Sequence, residues 1–327
     1  MSSAPFVQAS GLVKHFPLKA GLFSKSAEKV HAVNGVSLAI EKGQTHGLVG
    51  ESGSGKTTTA RLLLRIIEAD SGHFRFGDIP DVFRLAPDEL KKLRRHMQYI
   101  FQDPYASLNP KMQIRDIVTE PLRYAQEAKR PGPRELNAAA SELLERVGLS
   151  GGDIRKYPHE FSGGQRQRIS IARALSAKPS FIVCDEPVSS LDVSIQSQIL
   201  NLLLDIQEQT GISYLFIAHN LAVVFYLSDY VSVMYAGRIV EAGPSKVLSS
   251  RAAHPYTRLL LDTMPGRAGR GGEATSDTGE PPSLIHLSAG CAFYSRCPLR
   301  REECSRGVPP LAEIGDGHRA ACFRQKG

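Results

Sequence analysis

An eight-residue stretch between an apolar segment and a helical one has the spacing of a phosphate-binding loop. It runs GESGSGKT, from Gly50 to Thr57. Glycines let the backbone fold around a phosphate so that several N–H groups point at it, and the following helix adds a positive dipole end. In this pattern the lysine reaches the β- and γ-phosphates, and the hydroxyl after it holds Mg²⁺. A Gly-rich turn without a ligand is the alternative. The predicted binding residues are Gly50, Ser52, Gly53, Ser54, Gly55, Lys56, Thr57 and Thr58.

An acidic pair at the end of an apolar strand is the second chemical feature. The segment FIVCDE places Asp185 and Glu186 directly after four apolar residues. Ligands of open α/β sheets bind at the carboxyl ends of the strands. Asp185 therefore fits a Mg²⁺ ligand, and Glu186 fits a base that orients the attacking water. Alone, the pair would be a surface feature, but a phosphate loop in the same chain favours the catalytic interpretation.

The elements that must position these residues alternate between strands and helices, which predicts an α/β fold with a parallel sheet covered on both faces. The chain has 327 residues, enough for about two domains, and no secretory signal. We predict a nucleotide-binding core from residues 1–86 and 161–250, and a helical subdomain at 87–160. Residues 251–327 form a C-terminal extension that includes a Gly-, Ser- and Pro-rich linker at 265–283.

The stretch HEFSGGQRQR narrows the class of protein. Ser162 and Gln165 match a helix capping box, which would explain the two residues by structure alone. The same residues could also bind an anion, because a capped helix N-terminus is itself an anion site. The run also resembles the signature segment of ATP-binding cassette (ABC) proteins. Further elements of that family follow in order: Gln102 resembles its Q-loop glutamine, Asp192 its D-loop aspartate, and His219 its switch histidine. The signature residues are Ser162, Gly163, Gly164 and Gln165.

The resemblance implies an α/β P-loop ATPase core with a helical subdomain. A small Cys-rich C-terminal extension follows this core in the sequence. The resemblance also implies head-to-tail dimers in which the signature of one subunit acts in trans on ATP held by the other. Glu186, His219 and Gln102 would be catalytic, Thr57, Gln102 and Asp185 would hold Mg²⁺, and Phe16 would stack on adenine. Phe16 is equally compatible with a packed strand aromatic. The family usually has Asp where this chain has Asn220, and often Leu at Phe161.

The segment AHPYTRLLLDTMP (253–265) resembles the tail of oligopeptide, dipeptide and nickel importer ATPases. The resemblance implies an ATPase that powers uptake of a peptide-like solute from the cytoplasmic face of the inner membrane. Its partners would be a second, related ATPase, two permeases and an external solute-binding protein, with no nucleic acid. Because the net charge is +7, an ATPase acting on nucleic acid is an alternative. A P-loop kinase would leave the signature without a role.

Four of the five cysteines lie near the C-terminus, as Cys291, Cys297, Cys304 and Cys322. A cytoplasmic protein keeps thiols reduced, so four close thiols suggest a metal rather than disulfides. Zinc sites generally use tighter cysteine pairs. A [4Fe–4S] cluster needs only four cysteines, and the resemblance implies such a cluster in this tail. The open alternatives are zinc and free thiols.

Overall fold

The structure is a computed structural model that describes residues 4–18, 28–125, 131–264 and 282–325. Most of the predicted linker, residues 265–281, lies outside the described residues. The chain divides into two compact units. The first comprises Met1–Glu41, Thr45–Phe83 and Ile217–Gly327, and the second comprises Lys42–Gln44 and Arg84–Phe216. The predicted domain boundaries stay a prediction.

The secondary structure alternates as the sequence predicts. The strands are β1 (Val7–Pro17), β2 (Lys29–Ile40), β3 (Thr45–Val49), β4 (Ser71–Phe76), β5 (Met97–Ile100), β6 (Phe181–Asp185), β7 (Ser213–Ala218), β8 (Tyr230–Tyr235), β9 (Arg238–Pro244), β10 (Ala312–Gly315) and β11 (His318–Ala320). The helices are α1 (Lys56–Leu63), α2 (Pro87–Arg94), α3 (Pro104–Ser107), α4 (Ile114–Val118), α5 (Glu120–Ala125), α6 (Pro133–Arg146), α7 (Gly163–Ser176), α8 (Val193–Thr210), α9 (Leu221–Leu227), α10 (Ser245–Arg251), α11 (Pro255–Asp262) and α12 (Glu303–Arg306).

The first unit contains two sets of paired strands. An antiparallel sheet has the order β2-β1-β4, and a second set has the order β10-β11-β9-β8-β3. Only the β3–β8 pair of that second set is parallel, because β9 returns from β8 through a tight turn at Ala236 and Gly237. The sequence pattern predicted the parallel strands, but it did not predict the antiparallel sheet or the antiparallel edge.

A buried histidine joins the strands of this unit. The ring of His46 contacts the Ala39 carbonyl oxygen through Nδ1 and the Ser232 hydroxyl through Nε2, each at 2.9 Å. Burial lowers the pKa of His46 to about 4. The ring is therefore neutral near pH 7, and both of its nitrogens are satisfied inside the core.

In the second unit, β7, β6 and β5 are neighbours, and β5 pairs with β6 in parallel register from Met97↔Phe181 to Ile100↔Cys184. The amphipathic helix α6 buries Leu136, Ala140, Leu143 and Leu144, the spacing of one helical face. The sequence RELNAAASELLERVGL predicts an amphipathic helix that stops near Gly148. The helix ends at Arg146, and Gly148 has φ +74°, a conformation that glycine allows at helix ends.

Helix α1 is shorter than its sequence pattern predicts. The pattern predicts a helix over Thr57–Ile67, but the helix runs from Lys56 to Leu63. Arg65 adopts a left-handed conformation with φ +47°, which is incompatible with continuing the helix. Within the described residues, no helix combines the length and the apolar composition needed to cross a membrane.

Candidate functional site

The phosphate loop lies in the first unit, between the end of β3 and the start of α1. Gly50 and Gly55 have φ of +155° and +106°. A Cβ atom on Gly50 would lie 2.1 Å from the Met234 carbonyl oxygen, and one on Gly55 would lie 2.2 Å from that of Ala32. Because both clashes are with backbone atoms, the two positions require glycine for steric as well as conformational reasons.

The polar groups of this loop suit a phosphate ligand. Lys56 is 5% exposed, and its ammonium donates to the carbonyl oxygens of Gly50 at 2.8 Å and Glu51 at 2.9 Å. The hydroxyl of Ser54 is buried and makes no hydrogen bond among the described residues. Gly55 gives α1 no side-chain cap. A buried hydroxyl without a partner, an ammonium and an uncapped helix start fit a bound phosphate.

The remaining predicted residues of this unit lie on its surface. Ser52 and Gly53 are exposed in the loop, and Thr57 and Thr58 are half-buried in the first turn of α1. Phe16 is 38% exposed near the end of β1, so it is not a packed core aromatic. Its role in stacking on adenine stays a prediction.

His219 follows β7 and is exposed. The next residue, Asn220, caps α9, because its side-chain oxygen accepts a hydrogen bond from the Ala222 N–H at 2.9 Å. Aspartate caps helices equally well. The departure from the family pattern at Asn220 therefore preserves the start of α9, while the switch role of His219 stays a prediction.

The acidic pair lies in the second unit, at the carboxyl end of β6. Asp185 is buried, and one of its carboxylate oxygens accepts a hydrogen bond from the Tyr99 hydroxyl at 2.5 Å. Glu186 has φ +47°. A left-handed conformation costs a non-glycine residue about 1 kcal/mol or more, and such strain is typical of functional positions. Gln102 donates to the Glu186 carboxylate at 3.1 Å. The structure thus brings three predicted site residues of this unit together: Gln102, Asp185 and Glu186.

Tyr99 was not predicted from the sequence. It lies on β5 opposite Val183 of β6, three residues before Gln102. The pattern MQYIFQ indicates a short strand, but nothing in it shows that this strand lies beside β6. The strand pairing that identifies the partner is a tertiary feature.

The signature segment begins helix α7 in the second unit, and the predicted capping box is present. The Ser162 hydroxyl accepts from the Gln165 N–H at 3.3 Å, and the Gln165 side-chain oxygen accepts from the Ser162 N–H at 2.9 Å. A Cβ on Gly164 would lie 2.5 Å from the Ile195 side chain. Gly164 therefore lets α7 approach the start of α8 closely, and Gly163 lies beside it in the first turn.

Asp192, the predicted D-loop residue, caps α8. Its carboxylate accepts from the Ser194 hydroxyl at 2.7 Å and from the Ile195 N–H at 3.0 Å. The hydrogen bond from Ser194 is the main cause of a lowered pKa at Asp192. Asp192 thus has a structural role within its own chain, and its role toward a second subunit stays a prediction.

The four C-terminal cysteines all lie in the first unit and are free thiols. The pKa of Cys291 is raised to about 11, mainly by burial and in smaller part by the negative charge of Cys304, Cys297 and Cys322. The four thiols are therefore within electrostatic range of one another. Among the described residues, however, no group of three or more His, Cys, Asp or Glu side chains is placed to hold a metal ion. The thiols as arranged do not form the predicted metal site.

Comparison with known proteins identifies the chain. The family described as "ABC transporter" matches residues 33–189, and "Oligopeptide/dipeptide transporter, C-terminal region" matches residues 240–304. A probable peptide ABC transporter ATP-binding protein of Sinorhizobium fredii is 46% identical over 98% of this chain and 90% of its own length. The oligopeptide transport ATP-binding protein AppF of Bacillus subtilis is 44% identical over 94% of each chain. The chain belongs to the ATP-binding proteins of ABC transporters.

Solved structures support the same assignment. One is the dimeric structure of an ATP-binding cassette bound to ADP and phosphate. The two structures align over 73% of this chain and 98% of the cassette chain, with a TM-score of 0.64 and 27% sequence identity. Another is cbiO1 of Clostridium perfringens, which is part of an ABC transporter complex. It aligns over 76% of this chain and 92% of the cbiO1 chain, with a TM-score of 0.63 and 26% sequence identity. The predicted P-loop ATPase fold is confirmed, and the chain is an ATPase.

The geometry of Glu186 leads to a first prediction. We expect Glu186→Gln to bind ATP but to lose on the order of a hundredfold or more in hydrolysis, because the amide keeps the contact with Gln102 but cannot accept a proton. ATP turnover of the assembled complex and nucleotide binding should be measured together. Asp205→Asn, a change remote from the strand end on α8, is the matched control. Near wild-type turnover of Glu186→Gln would exclude the role as base.

Proposed function

We propose that this chain hydrolyses ATP to power the import of a peptide-like solute. The observation that carries the proposal is near-full-length similarity, at 44–50% identity, to proteins named for peptide import or oligopeptide transport. The match of residues 240–304 to the C-terminal region of oligopeptide and dipeptide transporters supports it. That region lies outside residues 33–189, which match the ABC transporter family.

In this proposal the phosphate loop binds the triphosphate. Lys56 turns from the loop carbonyls toward the phosphates, and the Ser54 hydroxyl gains the hydrogen bond that it lacks. Thr57, Gln102 and Asp185 would hold Mg²⁺, which supplies positive charge against the phosphate oxygens. Glu186 accepts a proton from the attacking water, and His219 orients the reacting groups. Each of these roles is carried over from the family motif.

The signature segment has its proposed role toward a second subunit. Ser162 and the N-terminal N–H groups of α7 would stabilise charge on the phosphoryl group held by the partner, and Asp192 would lie at the contact between the subunits. The glycines at 163 and 164 leave the start of α7 without bulky side chains. Hydrolysis would then depend on closure of the dimer.

The proposed complex contains a second, related ATPase, two membrane permeases and an external solute-binding protein. The chain would lie at the cytoplasmic face of the membrane as a peripheral subunit. A nucleic-acid-dependent ATPase is the alternative, based on the +7 net charge. None of the relatives named above is described as acting on nucleic acid.

The proposal predicts peptide uptake by an assembled transporter. The chain should be coexpressed with candidate permeases and a candidate second ATPase from the same organism, and the purified complex placed in liposomes with the solute-binding protein. We expect ATP-dependent accumulation of labelled peptides, abolished by Lys56→Ala. Copurification with RNA or DNA in place of permeases would contradict the proposal and favour the alternative.

If two subunits share each active site, a change in the signature segment should reduce ATP turnover without weakening ATP binding by its own chain. Ser162→Arg should leave ATP binding by the isolated chain unchanged, because the residue acts on the partner's nucleotide, and should reduce ATP turnover of the complex on the order of a hundredfold. Ser250→Arg, at an exposed position on α10, is the matched control. An isolated chain as active as the whole transporter would contradict the shared site.

The four cysteines carry a separate prediction. We propose that they bind a [4Fe–4S] cluster, with zinc as the alternative, because four free cysteines in one extension supply the full ligand set of such a cluster. The Cys291 N–H donates to the Cys304 carbonyl oxygen at 2.7 Å, so two of the four are neighbours. Anaerobic purification should give a brown protein with a broad absorption band near about 400 nm that Cys297→Ser removes. Stoichiometric zinc in a colourless protein would reject the cluster, and a metal-free protein would reject both.

A further inference from the structure

The phosphate loop contains a carboxylate that is held by the C-terminal extension. Glu51 follows Gly50, the first glycine of the loop. The Arg296 guanidinium donates to both oxygens of Glu51, from Nη1 at 2.8 Å and from Nη2 at 2.9 Å. The backbone N–H of Glu51 donates to the Tyr256 hydroxyl at 2.8 Å. Residues 240–304 therefore hold both the side chain and the backbone of one loop residue.

Arg296 is itself held in place by aromatic side chains of the first unit. Its side chain is 7% exposed, and its Nη1 also donates to the Tyr235 hydroxyl at 3.3 Å. The guanidinium carbon lies 5.8 Å from the ring centre of Tyr235 and 5.7 Å from that of Phe293. The rings of Tyr235 and Tyr256 pack at 4.5 Å, and Phe293 packs against both at 5.3 and 5.5 Å. The position of the guanidinium is therefore constrained on several sides.

The charge of Glu51 makes this contact relevant to nucleotide binding. An unpaired carboxylate within a phosphate loop would repel the negative charges of ATP. Arg296 cancels that charge, and its two parallel hydrogen bonds also fix the direction of the carboxylate. Because the pair is largely shielded from water, its partners interact more strongly than those of an exposed pair.

We propose that Arg296 is a positioning residue for ATP binding, acting through Glu51 to neutralise and orient the phosphate loop. The proposal rests on the proposed binding of ATP at this loop. Arg296 lies in the turn Tyr294–Arg296, immediately before Cys297. The four-cysteine segment thus contributes one side chain to the machinery that receives the nucleotide, whether or not the segment binds a metal.

A double-mutant cycle on the full-length chain tests the proposal. Arg296→Ala, Glu51→Ala and the double variant should be compared with wild type by equilibrium titration with a fluorescent ATP analogue. We expect Arg296→Ala to weaken binding about tenfold to a hundredfold, because it leaves the Glu51 carboxylate unpaired. In the Glu51→Ala background the same change should alter binding less than about threefold. In the assembled complex, KM for ATP should rise more than kcat falls.

Two further variants separate this role from a general effect on folding. Arg296→Lys keeps the positive charge and should restore part of the affinity, although it cannot donate in the same paired geometry. Arg306→Ala removes an exposed arginine of the same extension that pairs with Glu302, and should bind ATP like wild type. Thermal denaturation of each variant monitors folding. If Arg296→Ala does not fold, Arg296→Lys and Glu51→Ala complete the comparison.

The outcomes are distinct. Wild-type affinity of Arg296→Ala would overturn the inference, as would an equal loss of affinity in the wild-type and Glu51→Ala backgrounds, because Arg296 would then not act through Glu51. A wild-type chain that binds no ATP analogue would overturn the proposed function instead.

Discussion

The close approach of the phosphate loop to its supporting strands is the constraint on which the first unit depends. The loop is tied to the β8–β9 turn, since the Ser54 carbonyl oxygen accepts a hydrogen bond from the Gly237 N–H at 2.9 Å. A Cβ at Gly50 or Gly55 would collide with backbone on β8 or β2. Backbone atoms cannot move aside as a flexible side chain can. The loop therefore keeps one shape, with the Lys56 ammonium and Ser54 hydroxyl directed into it.

In the second unit, the pairing of two strands positions the acidic residues. Parallel pairing of β5 with β6 places Tyr99 within hydrogen-bonding distance of Asp185. The chain then turns sharply at Glu186, in a conformation that costs free energy. The side chain of Gln102, which follows β5, donates a hydrogen bond to the Glu186 carboxylate. Two neighbouring strand ends thus supply the acidic pair and the side chains that orient it.

The C-terminal extension packs against the strands of the first unit, to which it belongs. Phe293 is 1% exposed and lies against Tyr235 and Tyr256, so a segment poor in apolar residues uses the existing core. Burial of the Phe293 ring contributes apolar stabilisation to the extension. The same packing brings Arg296 to Glu51, which connects the extension to the nucleotide loop.

Local spacing in the sequence is enough to predict three of the motifs. The phosphate loop, the acidic pair after β6 and the capping box at Ser162 each consist of residues a few positions apart, so the sequence pattern is enough to locate them. The left-handed conformation of Glu186 is not part of that pattern, because glutamate disfavours it. Three other features depend on the packing of distant segments: the antiparallel edge of the sheet, the contact of Tyr99 with Asp185 and the pairing of Arg296 with Glu51. The last two residues are 245 positions apart. Nothing in a local pattern encodes such a contact, because it arises only when separate strands and the extension pack on one core.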